Sequence, residues 1–183
     1  MNAKSQNDVV DLLMAQHEEI RTLFDQVEKS SGDRRREKFD ALRSLLAVHE
    51  TAEEEIVHPY AKSKLGGDGA VNDLLEEEKH AKDTLKRLER TETGSSEFLP
   101  LLRQLRAAVE AHAKHEESSE FAQLRIKGTT EELQGMATLV KAAEAVAPTH
   151  PHPGVEGAVK NLALGPIASV SDRVRDAIKA ARK

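Results

Sequence analysis

Val48-His49-Glu50-Thr51-Ala52-Glu53 sets a histidine and a glutamate four positions apart, and Ala111-His112-Ala113-Lys114-His115-Glu116 repeats the spacing. Four residues of α-helix make one turn plus about 40° of rotation, so the imidazole and carboxylate of each pair point to the same side. The neighbouring apolar residues tell which side that is. Phe39, Leu42, Leu45, Leu46, Val48, Ala52 and Ile56 form a helical stripe with His49 and Glu53 near its centre. Glu54 and Glu55 rotate toward solvent, and Glu50 lies at the edge, from which it can swing inward. Phe98, Leu101, Leu102, Leu105, Ala108 and Val109 define a second stripe, which His112 and Glu116 continue; His115 is off it and reads as exposed. An ionised glutamate in the middle of an apolar stripe is rarely tolerated unless it is paired or coordinates a cation.

Working outward, Val9, Leu13, Ile20, Leu23, Phe24 and Val27 predict a first helix over about residues 8–30, with His17 inside its stripe and Ser30, Ser31, Gly32 and Asp33 as the stop. The helix that carries the first pair is expected over 33–62. Pro59 interrupts it, because proline lacks an N–H and its ring crowds the carbonyl of Glu55, so a kink or π-bulge is expected there. On an unbroken helix His58 faces away and Tyr60 lies on the stripe; one inserted residue turns His58 inward. After the turn Leu65-Gly66-Gly67-Asp68-Gly69, a third stripe of Val71, Leu74, Leu75, Ala81, Leu85 and Leu88 ends near Thr93-Gly94-Ser95. His80 falls on its flank, about 130° from the centre, with Glu76 one turn earlier. The fourth helix, with Pro100 tolerable in its first turn, runs to about Lys127-Gly128.

These stretches predict an all-α protein, a four-helix bundle over residues 1–128 with a C-terminal helical extension over 129–183. In the extension, Thr129-Thr130-Glu131-Glu132 opens a fifth helix through about Ala147. Pro148-Thr149-His150-Pro151-His152-Pro153-Gly154 is a stiff connector, and a short amphipathic helix follows around Val170, Val174 and Ile178.

Composition narrows the chemistry. The 183 residues contain no cysteine, so any metal must be held by histidine, carboxylate or tyrosine rather than thiolate. No tryptophan, one tyrosine and four phenylalanines leave the core to aliphatic side chains. A formal charge of −5 gives no general pull toward nucleic acid or anionic membrane, and no apolar run approaches the roughly 20 residues that span a bilayer. The expected setting is cytoplasmic, with no nucleic-acid or membrane partner, as a monomer or weak homo-oligomer. There is no Gly-rich phosphate loop and no Ser/His/Asp or Cys/His nucleophile arrangement.

Two buried His-x-x-x-Glu pairs and one histidine on each other helix exceed the four ligands of a structural zinc, and carboxylates that can bridge point to a pair of irons. The order His17, His49-x-x-x-Glu53, His80, His112-x-x-x-Glu116 resembles the hemerythrin-like, or HHE cation-binding, family over about residues 8–127. The resemblance implies an up-down-up-down bundle around two iron ions in an oxo- or hydroxo-bridged, non-haem centre. Glu53 and Glu116 match the bridging carboxylates, and His17, His49, His80 and His112 the terminal imidazoles. Glu76 stands where the oxygen carriers have a further histidine. Glu50 is a candidate replacement because some family domains use a glutamate there; Glu76, His58 and Tyr60 are weaker ones. The implied ligands are O₂, NO or peroxide. Three roles stay open: a binding protein for oxidative or redox stress, a peroxide-decomposing enzyme, and an iron or redox sensor without turnover.

Overall fold

The structure, a computed structural model, describes residues 8–65 and 69–145. These form α1 (Val9–Lys29), α2 (Gly32–Ala52), a π turn (Glu53–Val57), α3 (His58–Leu65), α4 (Gly69–Glu89), α5 (Phe98–Ser118), α6 (Glu120–Lys127) and α7 (Thr130–Glu144), with no strand among the described residues. α2, the π turn and α3 make one long arm and α5 with α6 another. α1 packs along α2 and also on α5, and α4 packs along α5, which gives an up-down-up-down four-helix bundle.

Local chemistry sets the ends of these elements. The Asp8 carboxylate accepts from the Asp11 N–H at 2.9 Å and caps α1. Gly32, expected in the stop between helices, is instead the first residue of α2. Its φ of 57° is the left-handed conformation that glycine adopts without penalty, and it lets Ser30 and Ser31 alone reverse the chain.

The interruption expected at Pro59 is a π turn just before it. The His58 N–H bonds to the Glu53 carbonyl, five residues back, and the widened turn accommodates a proline that has no N–H to give. The other long arm breaks at Ser119, where φ is −113° and ψ −76°. No proline is needed here: the Ser119 hydroxyl takes the His115 carbonyl at 2.6 Å and competes with the helix ladder.

Two apolar clusters fill the bundle. One contains Ile20, Phe24, Phe39, Leu42, Leu85, Leu88, Phe98 and Leu102; the other contains Val9, Leu13, Ile56, Val57, Phe121 and Leu124. On each arm the candidate ligands lie between residues of the two clusters. α7 closes the second cluster, packing on α1, α2 and the π turn. Its start is a capping box in which Thr129 and Glu132 each bond the other's backbone N–H. Its Leu133, Met136 and Val140 are buried, each worth about 1.5–3 kcal/mol. The expected connector at 148–154 and the helix around Val170 lie outside the described residues. No helix among the described residues is long and apolar enough to cross a membrane.

Candidate metal centre

His17 of α1, His49 of α2, Glu53 of the π turn and Glu116 of α5 are all buried, and one donor atom from each lies within 4.8 Å of the others. Glu53 and Glu116 converge in the same way with Glu78 of α4 and His112 of α5, so the two sets share two carboxylates. Across the cluster His17 Nε2 is 3.3 Å from Glu116 Oε2, His49 Nε2 is 3.3 Å from Glu53 Oε2 and His112 Nε2 is 3.5 Å from Glu116 Oε2.

Each of the three imidazoles is held from outside by its other nitrogen. His17 Nδ1 meets Glu117 at 2.9 Å, and Arg21 holds that carboxylate at 3.0 Å. His49 Nδ1 meets the Gln16 side-chain oxygen at 2.8 Å, while the Gln16 amide donates to Glu144 of α7. His112 Nδ1 meets one oxygen of Glu77 at 3.1 Å, and His115 takes the other at 3.0 Å. Carboxylates and amide oxygens only accept, so every Nδ1 carries a proton, which leaves Nε2 as the inward atom that can serve a metal.

Several of the inward atoms find no hydrogen-bond partner in the protein. The Nε2 atoms of His17 and His112, both side-chain oxygens of Glu53 and of Glu116, and Oε2 of Glu78 are buried without a hydrogen-bond partner. Each such atom costs about 1–3 kcal/mol. Burial, then the charges of Glu116, Glu78, Glu120 and Glu50, push the Glu53 carboxyl well above its usual range. Burial, then the charges of His17, His112 and His58, pull the His49 imidazole well below its own. A cation among these atoms reverses both penalties, and imidazole with carboxylate and no sulfur is a donor set that suits iron. The residues present therefore fit a metal.

Two further residues adjoin the cluster. The extra residue of the π turn rotates the helix beyond it by about 100°, which brings His58 inward as the bulged alternative required. Its Nδ1 bonds Glu120 at 3.0 Å and its Nε2 bonds Glu78 Oε1 at 2.6 Å. Burial opposes a charge on His58, but these two carboxylates override it and raise its pKa to about 10, so it is an imidazolium. Burial likewise pushes Glu78 up, and His58, joined by Lys82 and His112, more than offsets this. Glu120 reaches His58 because the break at Ser119 turns α6. His58, Glu116 and Glu120 also form a converging group.

Other expected residues are not brought to the cluster. His80, assigned a ligand role by family likeness, is exposed on α4, as is Glu76. The helical phase of His80 already placed it on the flank, and the α4 residue that converges with the others is Glu78, two residues earlier. Glu78 lies four residues after Leu74 and three before Ala81, squarely on the buried stripe, a signal obscured by the run Glu76-Glu77-Glu78. Glu50 is buried, but its Oε2 faces the Lys82 ammonium at 3.7 Å rather than the converging donors, and burial raises its pKa to about 8. Tyr60 is buried in the second apolar cluster beside Lys64 and Glu132. His115, expected to be exposed, is half-buried and supports Glu77.

The model of the hemerythrin HHE cation binding domain matches residues 8–124, a span that includes every donor named above. A DNA nickase of Nostoc sp. is 29% identical over 142 residues, which are 77% of this chain and 40% of the nickase. An uncharacterized hemerythrin-like protein of Schizosaccharomyces pombe is 27% identical over 136 residues, 72% of this chain and 66% of that protein. The chain thus spans less than two thirds of the length of either relative. The crystal structure of a hemerythrin HHE cation binding domain-containing protein from Mycobacterium kansasii aligns with a TM-score of 0.68 at 20% identity, over 75% of this chain and 85% of that one, a likeness of fold.

Proposed function

The chain belongs to the hemerythrin HHE cation binding family, and from that premise we propose that its buried cluster holds two iron ions that bind or react with O₂, NO or peroxide. The observation that carries this reading is the pair of donor sets sharing Glu53 and Glu116. His17 and His49 serve one position, His112 and Glu78 the other. A single structural zinc takes four ligands and has no use for a second set.

The charges agree. Glu50, Glu54 and Glu78 lie around Lys82, Glu78 and Glu120 bond His58, and Glu53 and Glu116 lie beside them among the converging donors. Fully ionised, these groups carry an excess of four negative charges, which two divalent cations match. When bound, iron supplies a change of oxidation state and open coordination positions for a small ligand. The protein does the rest: Glu53 and Glu116 would hold both ions, the outward Nδ1 bonds aim the imidazoles, and His58 occupies Oε1 of Glu78, which leaves Glu78 Oε2 without a hydrogen bond. The apolar clusters on either side restrict water.

Peroxide chemistry is favoured over reversible oxygen carriage by the second position, where α4 contributes a carboxylate rather than an imidazole. Hard anionic donors stabilise oxidised iron. The test is to load the protein with iron, then follow peroxide consumption and the optical spectrum of the reduced form under O₂. Peroxide consumption without a stable oxygen adduct is expected. An adduct that reverses under vacuum, with peroxide untouched, supports a carrier instead; neither reaction, with a structural change on iron loading, supports a sensor.

A further inference from the structure

We infer that Lys82 is a positioning residue that withholds Glu50 from the metal centre and so sets how many carboxylates serve the second position; this rests on the two-metal reading above. Lys82 lies one turn after Glu78 on α4, with a mostly buried side chain. Its ammonium is 2.6 Å from Glu54 Oε1, 3.6 Å from Glu78 Oε2 and 3.7 Å from Glu50 Oε2. The contacts differ in kind. Glu54, nearer the rim, makes a direct hydrogen bond that anchors the ammonium, whereas Glu50 Oε2 is buried without a hydrogen bond and faces the ammonium across 3.7 Å.

Glu50 comes directly after the ligand His49 in sequence and precedes Glu53 by three residues, so it lies within one helical turn of both. Its Oε2 makes no hydrogen bond, and the fixed cation faces it from α4. A divalent ion at the second position competes with that ammonium for Glu78 Oε2 and for Glu50. While Lys82 is charged and anchored by Glu54, the ion takes Glu78 and Glu50 stays with the lysine. Remove the ammonium, and Glu50 becomes a buried carboxylate whose nearest available cation is the metal.

The experiment is anaerobic titration of Fe(II) against a competing chelator, with X-ray absorption of the loaded protein, on the full native chain and on Lys82→Met, Lys82→Gln, Lys82→Arg, Glu50→Gln and the Lys82→Met/Glu50→Gln double variant. Glu50→Gln alone and Lys82→Arg are expected to bind two irons with native affinity. Lys82→Met and Lys82→Gln should tighten the weaker site about tenfold and add an oxygen donor to the iron shell. That gain should vanish in the double variant. A gain that survives in the double variant reports loss of repulsion alone and overturns the inference, as does the absence of any gain. Glu50→Gln losing iron by itself also overturns it, and this result stands even if the Lys82 variants do not fold. A native protein that takes up one zinc and no iron overturns the two-metal reading, which separates the two failures.

Discussion

The same four arms carry two kinds of interior. Ile20, Leu42, Leu88 and Leu102 meet hydrocarbon to hydrocarbon, whereas further along α1, α2, α4 and α5 the inward positions are His17, His49 with Glu53, Glu78, and His112 with Glu116. Spacing and burial are alike in the two regions, so the bundle geometry does not require the polar set. The aliphatic region stabilises the fold; the polar region leaves buried donors unpaired and works against it until a cation arrives. A protein that keeps such a region trades stability for a site.

The largest effect comes from removing what both metal positions share. Glu53→Ala or Glu116→Ala should lose both irons, read as metal content and loss of the paired-iron spectrum, while His80→Ala and Glu76→Ala should keep both. If either glutamate variant retains one iron at native affinity, the sharing is wrong.

The aliphatic region should respond in the opposite way. Leu102→Ala should cost about 2–5 kcal/mol in denaturant unfolding, and the folded fraction should still take up two irons. If metal uptake collapses with stability, the two regions are not separable.

Smaller changes are expected from the outer bonds to the imidazoles. Gln16→Leu leaves the His49 Nδ1 proton without an acceptor and unties Glu144 of α7, and Glu77→Ala does the same for His112. Each should weaken iron binding about 10–100-fold with helicity unchanged on circular dichroism. Unaltered affinity in both would mean that the inward set alone aims the imidazoles.

The smallest effect is a dependence on pH in the metal-free protein. Burial raises the Glu50 carboxyl from 4.5 to about 8, with the Lys82 charge opposing. Between those values the folded state keeps a proton that the unfolded state releases, so this group's contribution to stability is lost as pH rises. Glu50→Gln removes that dependence. Relative to the native protein it should therefore gain stability between pH 5 and pH 8, measured by urea unfolding at both; a variant that loses stability relative to the native protein over that interval, or does not change against it, would exclude the effect.

Much of this was readable in the sequence, for a physical reason: wherever the helix is regular, phase reports burial. The burial of His17, His49, Glu53, His112 and Glu116 follows from stripe spacing alone, as does the capped start at Thr129. Phase also placed His80 on the flank, and the structure has it exposed there; its ligand role was what the family likeness implied. Glu78 was equally legible, but three successive glutamates look like a solvated face. His58 and Glu120 were not fixed by phase, because each comes after a break, one of π type before Pro59 and one at Ser119, where the register changes. Glu50 and Lys82 are a different case: spacing puts a carboxylate near the site, and only the partner helix shows that an ammonium holds it.

The central claim is a pair of metal positions joined by Glu53 and Glu116, and zero-field Mössbauer spectroscopy of the iron-loaded native chain, with metal analysis on the same sample, tests it most directly. Two irons per chain in a magnetically coupled pair is the predicted result. One isolated iron, or one tightly held zinc with no iron, would contradict it.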